Sequence, residues 1–158
     1  MSYDWKGEKA AWVIQLCRMY AADLKALTDE QYTSGCGGAS RSPQGMTQEV
    51  VAMCKGAINL LNGADTMDYS EAVASGINAD VATRESAAEA VKAVGSELAS
   101  AIQNASDETF AREITTPWGM QMSIGMTVNV CSSHIWYHDG QINYIQLISG
   151  DENVHWMD

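Results

Sequence analysis

Two prolines in 158 residues leave this chain with almost nothing to interrupt a helix, and that constrains its fold more than any other feature. Proline removes a backbone donor and clashes with the preceding turn, so long proline-free and alanine-rich stretches favour helices of several turns. Four such stretches carry apolar residues at three- and four-residue spacing, the period of a helix with one buried face. The first runs from Lys6 to Leu27, with Ala10, Val13, Ile14, Cys17, Ala21 and Leu24 in one stripe. Thr28-Asp29-Glu30-Gln31 has the form of a capping box and predicts a short helical turn before the glycine-rich Gly35-Cys36-Gly37-Gly38. The second stretch, Met46 to Leu61, buries Val50, Met53, Cys54, Ala57 and Leu61 and stops at Asn62-Gly63. The third, Val81 to Asn104, turns Ala88, Val91, Gly95, Leu98 and Ile102 inward and Glu89 and Lys92 outward. After the turn Thr116-Pro117-Trp118-Gly119, Gln121 to Ser149 reads as one last helix.

These elements predict an all-α chain, a single domain over residues 1–158 arranged as a four-helix bundle. Residues 64–80, with one turn of helix near Ser70 to Ala74, form a long crossover able to span the bundle, because antiparallel neighbours are normally joined by shorter links. A small α+β domain is the alternative, since the threonine-, isoleucine- and valine-rich segment from Glu113 to Val130 could hold a hairpin.

Twenty acidic against nine basic residues give a formal charge of -11, a surface that repels phosphate backbones and anionic lipid. Nucleic acid and membrane are therefore not expected partners. The charged start MSYDWKGEKAAW lacks the apolar run of a signal peptide, so a cytoplasmic location is expected. Cys17, Cys36, Cys54 and Cys131 show no CxxC spacing and are read as free thiols in a reducing compartment.

Chemistry concentrates in the last helix. His134 and His138 lie four residues apart, a spacing that points both imidazoles to one side, as two ligands of one metal ion are commonly presented. With Cys131 as zero on a wheel of about 100° per residue, His134, His138, Gln141 and Ile145 fall between about 280° and 340°, and Asp139 near 80°. Asp139 is thus expected in solvent, and Gln141 is the better placed support for a metal-bound imidazole. Catalytic zinc usually has three protein ligands. Cys54 on the second helix is the candidate for the third, with Cys131 and His155 as alternatives; Met53 offers only a soft thioether. The competing reading keeps both histidines as hydrogen-bonded pocket or core residues without metal. Gly140 implies either a close neighbour or ligand beside His138, or a local bend, and Trp118, Trp136, Tyr137, Tyr144 and Trp156 supply aromatic area.

His134-Ile135-Trp136-Tyr137-His138-Asp139-Gly140-Gln141, followed by Gly150-Asp151, resembles the last helix of the DinB-like superfamily, with its His-x-x-x-His-x-Gly-Gln pattern. Glu49-Val50-Val51 at the start of the second helix and Leu60-Leu61-Asn62-Gly63 at its end are similar to that family more loosely. The resemblance implies a four-helix bundle, often a homodimer, with a zinc- or nickel-type site formed by the two last-helix histidines and a third on the second helix. That second helix has no histidine here, so the implied site is altered or vestigial. Some relatives are transferases or hydrolases that work with a small thiol. The implied function is metal-dependent transfer or hydrolysis of that kind; the alternative is a non-catalytic ligand-binding or dimeric interaction protein that keeps the pocket without the ion.

Overall fold

The computed structural model describes residues 3–67 and 80–157. Among these, six helices and one small sheet follow in order: α1 Trp5–Ala26, α2 Asp29–Thr33, α3 Pro43–Leu61, α4 Arg84–Asn104, α5 Asp107–Ala111, β1 Glu113–Thr115, β2 Gln121–Ser123 and α6 Ile124–Ile148. The turn of helix expected near Ser70 to Ala74 lies outside the described residues.

The four long helices make the expected bundle. α1 packs against α4 and α6, and α3 packs against the same two helices. It follows that α1 and α3 stand across one diagonal and α4 and α6 across the other. Residues 62–83 join the neighbours α3 and α4, while 27–42, which include α2, and 105–123, which include α5 and the hairpin, cross the diagonals.

Each helix begins where a side chain can accept from the first free backbone N–H groups. Asp4 caps α1, Thr28 closes a capping box on α2, Ser42 caps α3, Thr83 caps α4 and Ser123 caps α6. Ser42 with Pro43 in the first turn starts α3 three residues before Met46, the expected start, because proline there loses no hydrogen bond and has a helical φ. The last helix is shorter than expected. Gln121–Ser123 pair antiparallel with Glu113–Thr115, Ile114 opposite Met122, before Ser123 starts α6. The hairpin weighed for Glu113 to Val130 is therefore present, as a small addition to an all-helical bundle.

Packing refines two of the expected stripes. On α1, Ile14 is 40% exposed, while Leu16 and Tyr20 are buried with Val13, Cys17 and Leu24. Where α1 meets α4, a Cβ on Gly95 would lie 2.6 Å from Cys17 Sγ and 2.7 Å from its Cβ, so only glycine lets the two helices approach so closely. On α6 the buried face is wider than one stripe: Ile135 and Ile142 centre it, His138 and Ile145 lie to one side, Asp139 and Gln146 to the other. A helix held between two neighbours buries both flanks. Among the described residues no helix is long and apolar enough to cross a membrane.

Candidate metal centre

His134 and His138, one turn apart on α6, meet Glu49 from the first half of α3. The two Nε2 atoms are 3.1 Å apart, and Glu49 Oε2 lies 3.2 Å from His138 Nε2 and 3.8 Å from His134 Nε2. One ligand atom from each residue thus falls within 4.8 Å of the others, and no other such group of His, Cys, Asp or Glu occurs among the described residues. Nitrogen and oxygen ligands at about 2.0–2.2 Å around a tetrahedral ion stand about 3.4 Å from one another. The three observed separations bracket that spacing, so the residues present fit a divalent ion.

Hydrogen bonding sets the donors. Gln141 Oε1 lies 2.6 Å from His138 Nδ1, and a carbonyl oxygen can only accept, so Nδ1 carries a proton and Nε2 is the ring nitrogen turned towards Glu49 and His134. Gln141 Nε2 in turn donates to the Tyr137 hydroxyl at 3.1 Å. Burial, then the charge of the His138 ring and, least, that of Arg41, push the His134 pKa below its ordinary value, against the opposing pull of Glu49. At neutral pH His134 is uncharged, as a ligand must be. Two imidazole nitrogens and a carboxylate oxygen thus converge on one point, where a cation would find three donors at once.

Arg41, in the loop before α3, closes the group from outside. Its guanidinium donates to the same Glu49 Oε2 that faces the histidines. Next to it, Arg41, Cys36, Tyr137, Gly140, Gln141 and Tyr144 are among the residues lining a cavity of about 480 Å³. A Cβ on Gly140 would meet nothing within 4 Å. No neighbouring helix closes on Gly140, which faces open space where it lines the cavity.

Of the residues singled out in the sequence, His134, His138 and Gln141 come together. Cys54 does not join them: its thiol lies 3.5 Å from that of Cys131, both wholly buried between α3 and α6. The contact with Cys131, then burial, pushes the Cys54 thiol well above its usual range, away from the thiolate a metal needs. His155 pairs instead with Asp151 at 2.7 Å. Trp136 stacks on Trp12 of α1 at 5.6 Å between ring centroids, and Trp118 lies exposed in the hairpin turn.

Two residues escaped the sequence reading. Glu49 lies one turn before Met53 on α3, hence on the face from which a third ligand was sought, but a search for histidine and cysteine passes over a carboxylate. Asp139, expected in solvent, is 5% exposed. Its carboxyl meets that of Asp23 on α1, itself wholly buried; Asn143 Nδ2 donates to Asp23 Oδ2 at 2.6 Å and Gln146 Nε2 to the Asp23 carbonyl at 3.0 Å. Burial and the charge of Asp23 push the Asp139 pKa up to about 8, so it keeps its proton at neutral pH. The wheel misplaced it because the centre of the buried face lies nearer Ile135 and Ile142 than the histidines.

Comparison with known proteins agrees with this architecture. The sequence profile of the DinB superfamily matches residues 15–142. YfiT from Bacillus subtilis, described as a probable metal-dependent hydrolase with an unusual four-helix bundle topology, is similar in structure with a TM-score of 0.72. That match has 10% identity and covers 95% of this chain and 90% of that one. A mycothiol-dependent maleylpyruvate isomerase is similar with a TM-score of 0.63 at 16% identity over 87% of this chain, and a variant of it with 0.64 at 15%. This chain covers 60% of the isomerase's length. At such identities the likeness is one of fold. No curated protein sequence matches the chain.

Proposed function

We propose that this chain, which belongs to the DinB superfamily, holds a divalent ion of the zinc or nickel type through Glu49, His134 and His138 and carries out metal-dependent transfer or hydrolysis with a small thiol. The observation that carries the reading is the convergence of Oε2 and two Nε2 atoms at 3.1 to 3.8 Å. Two histidines and a glutamate are a known catalytic zinc set, and they leave a position open. When bound, such an ion supplies a Lewis acid that acidifies a water or thiol at that position. Gln141 holds the His138 ring in the tautomer whose Nε2 faces the ion, and the neighbouring cavity gives a small molecule room to reach it. The fold likeness to YfiT, a probable metal-dependent hydrolase, and to the mycothiol-dependent isomerase supports the metal and the thiol respectively.

A homodimer in the cytoplasm belongs to the same reading; Tyr144, Leu147 and Ile148 expose apolar area along α6 that a second copy would cover. The metal-free alternative, a ligand-binding pocket, is favoured by one contact: the Arg41 guanidinium already gives Glu49 a cationic partner. Metal analysis of protein purified without a histidine tag separates the two. After incubation with zinc or nickel and removal of the excess, about one equivalent should remain on the wild type and almost none on Glu49→Ala or His138→Ala. Less than about a tenth of an equivalent on the wild type rules out the metal reading.

A further inference from the structure

We infer that the cavity beside His138 is a carboxylate-binding subsite whose anchor, Arg41, is held by Glu49 until a cation takes over that glutamate. The inference rests on the metal reading for its cation, but its test does not.

Arg41 belongs to two places at once. It donates to Glu49 Oε2, the oxygen that faces both histidines, and it lines the cavity of about 480 Å³. Among the described residues that line this cavity, Arg41 is the one charged side chain. In a chain of net charge -11 a cavity with a guanidinium and no carboxylate of its own is suited to an anion. Tyr137, Tyr144, Met46 and Ile145 are among its other walls, and Gly140, which also lines it, faces open space. The ligand chemistry that fits is a carboxylate on a compact apolar or aromatic body, because a guanidinium takes a carboxylate in a paired, planar contact and the tyrosine rings offer apolar faces.

The coupling follows from charge. While the donor group holds no cation, Glu49 competes with any incoming carboxylate for Arg41. A divalent ion on Glu49 Oε2 compensates that charge and frees the guanidinium, which is 58% exposed and able to turn towards the cavity. Cation and carboxylate then strengthen each other's binding by the same factor, as linkage requires.

Benzoate is the probe, with benzamide as its uncharged counterpart, titrated into the full chain by calorimetry or NMR. The decisive arm uses chelator-treated protein. Glu49→Gln removes the competing charge without any metal and should bind benzoate about tenfold more tightly than the wild type, a charged hydrogen-bond contribution of about 1.4 kcal/mol. Adding Arg41→Ala to Glu49→Gln should abolish the gain, and benzamide should show none. If Glu49→Gln fails to fold by circular dichroism, Glu49→Ala takes its place. Equal benzoate affinity in wild type and variant, a gain that survives Arg41→Ala, or equal binding of benzamide overturns the inference. A wild type that takes up no zinc while Glu49→Gln gains benzoate sinks the metal reading and keeps the subsite. Zinc uptake without that gain does the reverse.

Discussion

The buried carboxyl of Asp139 lies beside that of Asp23, on the flank of α6 opposite the one that carries His138. Adjacent residues of one helix thus serve two different polar clusters, a protonated carboxyl pair against α1 and a metal-type donor set against α3. The first is structural, and its pH dependence has a definite sign. An unfolded Asp139 loses its proton near pH 4, whereas the folded one keeps it to about 8. The folded state binds the extra proton between those values, so this group's contribution is fully present below about pH 4 and is lost as the pH rises through about 8. Asp139→Asn, which mimics the protonated form, should therefore gain on the wild type with increasing pH. Its Tm relative to wild type should rise by about 10 °C between pH 5 and pH 8. A constant difference across that range would mean that Asp139 is ionised in the fold.

Cys54 and Glu49 make opposite predictions. Cys54→Ala should leave metal content unchanged and cost about 1 kcal/mol of stability, the price of a small cavity beside Cys131. Glu49→Ala should cost little stability, since Glu49 is partly exposed, and should remove the metal. Metal analysis and chemical denaturation on the same two preparations check both halves.

Gln141→Leu should lower metal affinity about 10- to 100-fold without unfolding the chain, because His138 loses the acceptor that fixes its tautomer. Competition with a chromogenic chelator measures the change. Unaltered affinity would show that the His138 ring is held by packing alone.

Gly95→Ala gains about 1 kcal/mol of helix propensity but sets a methyl within 2.7 Å of Cys17 Cβ. A Cβ cannot rotate away, so a net loss of about 1–2 kcal/mol is expected from overpacking. Cys17→Ala keeps that Cβ and should not rescue the variant. Urea denaturation of the single and double variants checks this.

Much of the architecture was legible because it rests on local rules. Scarce proline, three- and four-residue apolar spacing and capping residues such as Thr28 and Asn62 located the long helices and the short α2. Helix starts at Ser42 and Ser123 were missed where a cap competes with periodicity. The hairpin needed Ile114 to meet Met122, a pairing that a helical wheel does not see. At the site, the histidine pair and Gln141 were legible because they lie within about two turns of one helix. Glu49 and Asp23 were not, since their roles depend on which side of α3 and α1 each neighbour occupies.

Glu49 and His138 stand 89 residues apart in the chain. Their meeting requires α3 and α6 to be docked, so the three-donor group does not exist in any locally folded fragment. Whatever binds there acts as a reversible crosslink closing a loop of that length, and a closed loop limits the unfolded ensemble rather than one helix. Occupancy of this one group therefore reports on, and reinforces, the integrity of the whole bundle.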